Sequence, residues 1–231
     1  MSTRPSDLSP PACLAAGPYV DSDHPAVQAF ARSHADSSMP ARDIAVRLYY
    51  AVRDGIRYDP YQIDISERGL RASHVLECGY GFCVSKAALL TAAARVLGVP
   101  ARLGFADVRN HLTSPRLREM MRTDVFAFHG YSEVWLDGRW VKATPAFSKT
   151  LCEKAGVLPL EFDGSADSIF HECDTSGRRH MQYLLDRGPY LDVPRDEMIS
   201  VFEQLYPNYR SWMRGTCGVE FETEVVPGSA E

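Results

Sequence analysis

Residues 83–97, CVSKAALLTAAARVL, narrow the possible folds of this chain more than any other stretch. The segment is built from strong helix formers, with Ala87, Leu90, Ala94 and Leu97 on one stripe and few polar residues anywhere else on its circumference. A helix that is apolar nearly all round has no face to present to water, so other elements must wrap it. Gly98 and Pro100 end it. The segment predicts a central helix.

The flanking elements read more weakly. Asp23 is placed to cap a short helix with Pro25 in its first turn and Val27, Phe30 and Ala31 at helical spacing. A helix over 41–54 carries Ile44, Leu48, Ala51 and Val52 as its apolar stripe, with Gly55 as its stop. IRYDPY reads as a short extended piece ended by Pro60, and residues 66–78 as a helix or loop. After the central helix, ARLGF reads as a strand, ADVRNHL as a polar loop and 115–122 as a short helix. Beyond residue 150 the pattern fades until a helix at about 194–206. This predicts a Pro- and Ser-rich flexible arm over 1–22, one domain over 23–215 with its core at 41–147, and a tail over 216–231.

The clearest strand signal is FAFHGYSEVWLDGRWVKATPAF, two alternating runs joined by Asp137-Gly138, a dipeptide that favours a two-residue hairpin turn. Such a turn sets the pairing: Leu136 with Arg139, Trp135 with Trp140, Val134 with Val141, Glu133 with Lys142, Ser132 with Ala143 and Tyr131 with Thr144. Two aromatic, two β-branched and two oppositely charged residues then meet across the strands, each a favourable combination. His129, Tyr131, Glu133 and Trp135 share a face with Trp140, Lys142 and Thr144. His129 and Thr144 become diagonal neighbours roughly 7–8 Å apart at the backbone.

The chain of 231 residues carries a net charge of −5, which argues against nucleic acid or an acidic membrane surface as partner. Arg116, Arg118 and Arg122 read as the solvated face of a short helix rather than a phosphate site. No apolar run suits a signal peptide or a membrane span, which predicts a cytoplasmic protein. In that compartment the six cysteines, at 13, 78, 83, 152, 173 and 217, are expected as thiols. None lies in a spacing that suggests zinc, so neither disulfide, structural metal nor cofactor is expected. Oligomeric state is left open.

Cys83 stands where the glycine-punctuated GYGF becomes the central helix. Unpaired N–H groups and the positive end of the helix dipole there favour a thiolate and offer oxyanion donors. A lone Cys is usually a small core residue and a lone strand His a structural one. Together, GFCVSKAALLTAAARVLGVPARLGF and HGYSEVWLDGRWVKATPAF resemble the transglutaminase-like superfamily, and LYYAVRDGIRYDPY is similar to its helix–strand lead-in. The resemblance covers about residues 41–147. It implies an α+β, papain-like/transglutaminase-like fold with the central helix packed on an antiparallel sheet. It also implies Cys83 as nucleophile and His129 as its base, within hydrogen-bonding reach of each other.

One position departs from the family pattern. Where an Asp usually stands in a Val-Asp-Pro-Thr context, this chain has Ala143-Thr144-Pro145-Ala146. Thr144 can accept from the imidazole but brings no charge to it, and Asp107 or Asp163 are alternatives for that charge, each also readable as a turn or cap residue. Cys78 precedes the glycine turn without the helix-start position. Tyr80 and Phe82 are expected to line an acyl pocket or to pack under the helix, and His111 to contact substrate from a loop or to sit on the surface. Tyr131 reads as a packing residue. The implied function is a cofactor-free thiol enzyme acting on a peptide, amide or thioester carbonyl through an acyl-enzyme, as protease, amidase, transamidase or cyclase. The alternative is a non-catalytic module that binds a peptide or protein in the groove.

Overall fold

A computed structural model describes residues 8–110, 114–169, 181–207, 209 and 221. Among them the elements run α1 (Pro25–His34), α2 (Ala41–Gly55), β1 (Arg57–Tyr58), α3 (Ala72–Cys78), β2 (Tyr80–Gly81), α4 (Cys83–Val96), β3 (Ala101–Asn110) and α5 (Pro115–Met121). There follow β4 (Val125–Leu136), β5 (Arg139–Ala143), α6 (Lys149–Ala155), β6 (Met181–Tyr190) and α7 (Arg195–Leu205). The architecture is α+β. Strands β5-β4-β3-β6 form an antiparallel sheet, and β1 and β2 form a separate parallel pair.

Helix α4 is the centre. Every residue from Val84 to Arg95 is buried, and the helix packs against α1, α2 and α3 as well as strands β3 and β4. Its polar side chains are buried because each finds a hydrogen-bond partner. Lys86, 0% exposed, donates to the carbonyls of Arg53 (3.0 Å) and Ile56, which tie the end of α2 to the start of β1. Arg95 donates to Ala101 O, Ala15 O and Leu191 O at 2.6–2.8 Å. Thr91 donates to Ser132 Oγ, which donates on to Ala87 O, so β4 is stitched to the middle of the helix.

The hairpin register from Leu136–Arg139 to Ser132–Ala143 is as read from the sequence. Asp137 (φ 49°) and Gly138 (φ 81°) are both left-handed, the backbone of a primed hairpin turn. The Trp135 and Trp140 rings meet edge to face at 5.2 Å. The expected Tyr131–Thr144 pair does not form. Strand β5 ends at Ala143, because Thr144 N–H turns to Ser168 O (2.9 Å) while Ser168 N–H takes Lys142 O (2.8 Å).

Other readings need correction. The loop expected at ADVRNHL is strand as far as Asn110, since β3 is central and is paired on both sides. Strand β6 and helix α6 escaped the sequence reading. MQYLLDRGPY has no clean alternation because β6 is an edge strand, with two register shifts and a proline that an edge tolerates. His24, not Asp23, caps α1 through its Nδ1. Helix α2 does stop at Gly55, as expected, with the glycine as its last helical residue.

Residues 8–22 are not a loose arm. Cys13 and Val20 are buried, and Asp192 accepts from Tyr19 N (3.1 Å) and Val20 N (3.0 Å). Low regular structure was legible in their composition; the anchors, distant in sequence, were not. Of the expected tail, Phe221 is described, and its ring packs on Tyr58 and Tyr61. Cys78 and Cys83 are free thiols; Cys173 and Cys217 lie outside the described residues. No described helix is long and apolar enough to cross a membrane.

At Gly130 the strand runs against the first turn of α4, and a Cβ there would lie 2.9 Å from Val84 Cα, a backbone atom that cannot move aside. Gly130→Ala is expected to destabilise by about 1–3 kcal/mol in urea melts. Gly55→Ala has nothing within 4 Å to meet and should stabilise by about 0.4–1 kcal/mol.

Candidate active site

Cys83 is the first residue of α4. Phe82 precedes it in extended conformation, and Ser85 Oγ reaches back to accept Phe82 N–H at 3.1 Å, which fixes the entry of the chain into the helix. Burial pushes the Cys83 thiol up to about 11, outweighing the lowering effect of the backbone N–H groups of Gly130, Val84 and Cys83 itself near the sulfur. The residue keeps some exposure at its surface, while its sulfur is closely surrounded by protein. The helix-start effect read from the sequence is therefore present and is overridden by desolvation. Cys152, also buried, is pushed up to about 12.

His129 lies on β4 opposite Ala106 and is 4% exposed. With Cys83 it lines a small apolar cavity of about 40 Å³, closed by Phe82, Phe128, Tyr58 and Tyr206 among others. The tertiary fold thus brings the two residues to one place.

Thr144 does not play the part expected from the register. Its side chain is buried at 4% exposure and its Oγ1 has no hydrogen-bond partner. The chain leaves the β4 ladder at this residue, and Thr144 Oγ1 makes no hydrogen bond to the imidazole. Neither alternative carboxylate fills the gap. Asp163 is an exposed turn residue that accepts from Ser165 N–H and Oγ–H. Asp107 is buried, but its oxygens are held by Arg187 and by Phe128 N–H.

Phe82 also lines a larger open cleft of about 640 Å³, together with Tyr80, His74, Cys78 and Arg195. Tyr80 is on that cleft and not on the Cys83 cavity. Cys78 sits there too, its sulfur 3.3 Å from His74 Nε2, at the last residue of α3. Tyr131 is fully buried with Ala106 and Val108, as a packing residue. His111 lies outside the described residues. Among the described residues no group of three His, Cys, Asp or Glu could hold a metal ion. The sequence reading missed Gly130 and Asp107–Arg187. A glycine inside a strand, directly after the His, is a signal of close backbone approach.

A family model described as the transglutaminase-like superfamily matches residues 28–145, just over half of the chain. No curated protein matches it. Among solved structures, a candidate cysteine protease from Cytophaga hutchinsonii is similar at TM-score 0.44 and 19% identity, over 60% of this chain and 42% of its own. A candidate protease from Parabacteroides distasonis is similar at TM-score 0.37 and 16% identity, over 65% of this chain and 31% of its own. The chain thus spans less than half of either, and these likenesses carry nothing about its chemistry.

Two outcomes follow from the geometry. Alkylation of Cys83 by iodoacetamide, followed by peptide mass spectrometry, should rise about tenfold per pH unit towards pH 11, because only the thiolate reacts and its fraction falls as pH drops below the pKa. A plateau below pH 7 would instead mark a preformed thiolate–imidazolium pair. Thr144→Val removes a hydroxyl that bonds nothing, so thermal stability should hold or rise by about 1 kcal/mol.

Proposed function

Because the chain belongs to the transglutaminase-like superfamily, we propose that it is a cofactor-free thiol enzyme acting on a peptide, amide or thioester carbonyl, with Cys83 as nucleophile and His129 as base. The observation that carries this reading is the cavity shared by Cys83, at the first residue of α4, and His129. In the resting site the thiol keeps its proton, since burial raises its pKa. His129 therefore takes the proton as the sulfur attacks, in general-base fashion, rather than holding an ion pair beforehand.

Attack forms the S–C bond and places negative charge on the carbonyl oxygen. The N–H groups that face the resting sulfur, at the start of α4 and at Gly130, are suitably placed to turn to that oxygen. His129 then returns the proton to the departing amine or thiol as the C–N or C–S bond breaks. Water or an amine, deprotonated by the same ring, releases the acyl group. Hydrolysis or transfer depends on which acceptor the site holds. Thr144 has no step here. Its partnerless hydroxyl and the high thiol pKa favour the second reading, a non-catalytic module whose groove binds a peptide.

Intact-mass detection of an acyl-enzyme after exposure to a panel of activated esters and amides separates the two. The adduct should map to Cys83 and vanish in Cys83→Ala, and His129→Gln should slow its formation by about 10²–10⁴. A panel that yields no adduct, or one that maps to Cys78, would remove the enzyme reading.

A further inference from the structure

Two irregularities in neighbouring strands meet at one side chain. The ladder of β3 with β4 runs regularly to Ala106–His129 and resumes at Val108–Phe126, so Ala127 and Phe128 together oppose Asp107, a β-bulge. On the other side, β3 pairs Phe105 with Gly188 and then Ala106 with Asp186, so Arg187 is the extra residue of β6. Phe128 has φ 56°. A bulky residue rarely takes this left-handed conformation, and it persists where its surroundings enforce it, commonly beside active sites.

The enforcing groups are visible. Asp107 Oδ1 accepts Phe128 N–H at 3.1 Å, and Tyr206 Oη accepts Ala127 N–H at 2.8 Å, so both bulge donors go to side chains instead of ladder carbonyls. Arg187 grips Asp107 through Nε–Oδ1 (2.6 Å) and Nη2–Oδ2 (2.7 Å), and its guanidinium lies over the Phe128 ring at 4.2 Å. The residue after Phe128 is His129, and the one after that is Gly130, whose N–H reaches the Cys83 sulfur. A one-residue relaxation of the bulge would turn every side chain near it.

We propose that Asp107, clamped by Arg187, is a positioning residue that holds Phe128 left-handed and thereby sets the imidazole of His129 against Cys83. This rests on the assignment of His129 as the base. The carboxylate then acts through the backbone, not on the ring.

The test is the rate of acyl-enzyme formation per titrated site, with one activated ester that acylates the parent protein, read beside the melting temperature. Asp107→Ala should slow acylation by about 10–100-fold, while iodoacetamide alkylation of Cys83, which needs no base, keeps the parent's pH dependence. Asp107→Asn retains an oxygen for Phe128 N–H and should fall between, which gives a usable variant if Asp107→Ala folds poorly. In a His129→Gln background the Asp107→Ala effect should vanish, because there is no base left to position. In a Phe128→Gly background, where the left-handed backbone needs no enforcement, it should shrink below about threefold. Acylation by Asp107→Ala at the parent rate, or an equal loss with and without His129, would overturn the positioning role while leaving His129 as base. His129→Gln reacting at the parent rate would remove both.

Discussion

The approach of Gly130 to the first turn of α4 is the contact on which the rest of the site depends. Because no Cβ intervenes, β4 lies directly on the backbone at Val84, and Gly130 N–H reaches the sulfur one residue away. That places the residue before it, His129, beside the cavity that Cys83 lines. The approach needs a helix that cannot shift, and α4 is held by burial from Val84 to Arg95 and by Lys86, Thr91 and Arg95 bonding to backbone or to β4. A charged Lys86 fully inside the protein would be costly alone; tied to two carbonyls it locks the end of α2 and the lead-in to β1 onto the helix that carries Cys83.

Two opposing effects decide the charge state of the site. Helix-end N–H groups draw the thiol towards ionisation, and desolvation draws it the other way by more. A thiolate–imidazolium pair would place two charges where water is scarce, with Thr144 in the position that elsewhere brings a carboxylate. A neutral pair that transfers its proton during attack fits these surroundings. The buried, partnerless Thr144 hydroxyl is consistent with a site in which that position no longer takes part in hydrogen bonding.

The sheet contributes precision through its defects. A regular β4–β3–β6 ladder would leave Asp107 and Arg187 as ordinary strand residues. The bulges at Phe128 and Arg187 bring carboxylate, guanidinium and a strained backbone together immediately before His129. A polar network of this kind is stabilising only when fully satisfied, and here each carboxylate oxygen has a donor.

Local rules were enough for the elements whose cause is local. The Ala- and Leu-rich run made a buried α4, and Asp137-Gly138 made the hairpin and its register. What the sequence could not decide were the quantities that depend on neighbours distant along the chain. Burial reversed the expected thiol shift, Ser168 drew Thr144 off the ladder, and Asp192 strapped down residues 19 and 20. Strand β6 was invisible because an edge strand with bulges lacks alternation, and the pairing of Asp107 was invisible because its partner, Arg187, comes eighty residues later. Helix and turn preferences are set by a few consecutive residues; pKa, register breaks and side-chain partners are set by what the folded chain packs against them, and only the tertiary structure contains that.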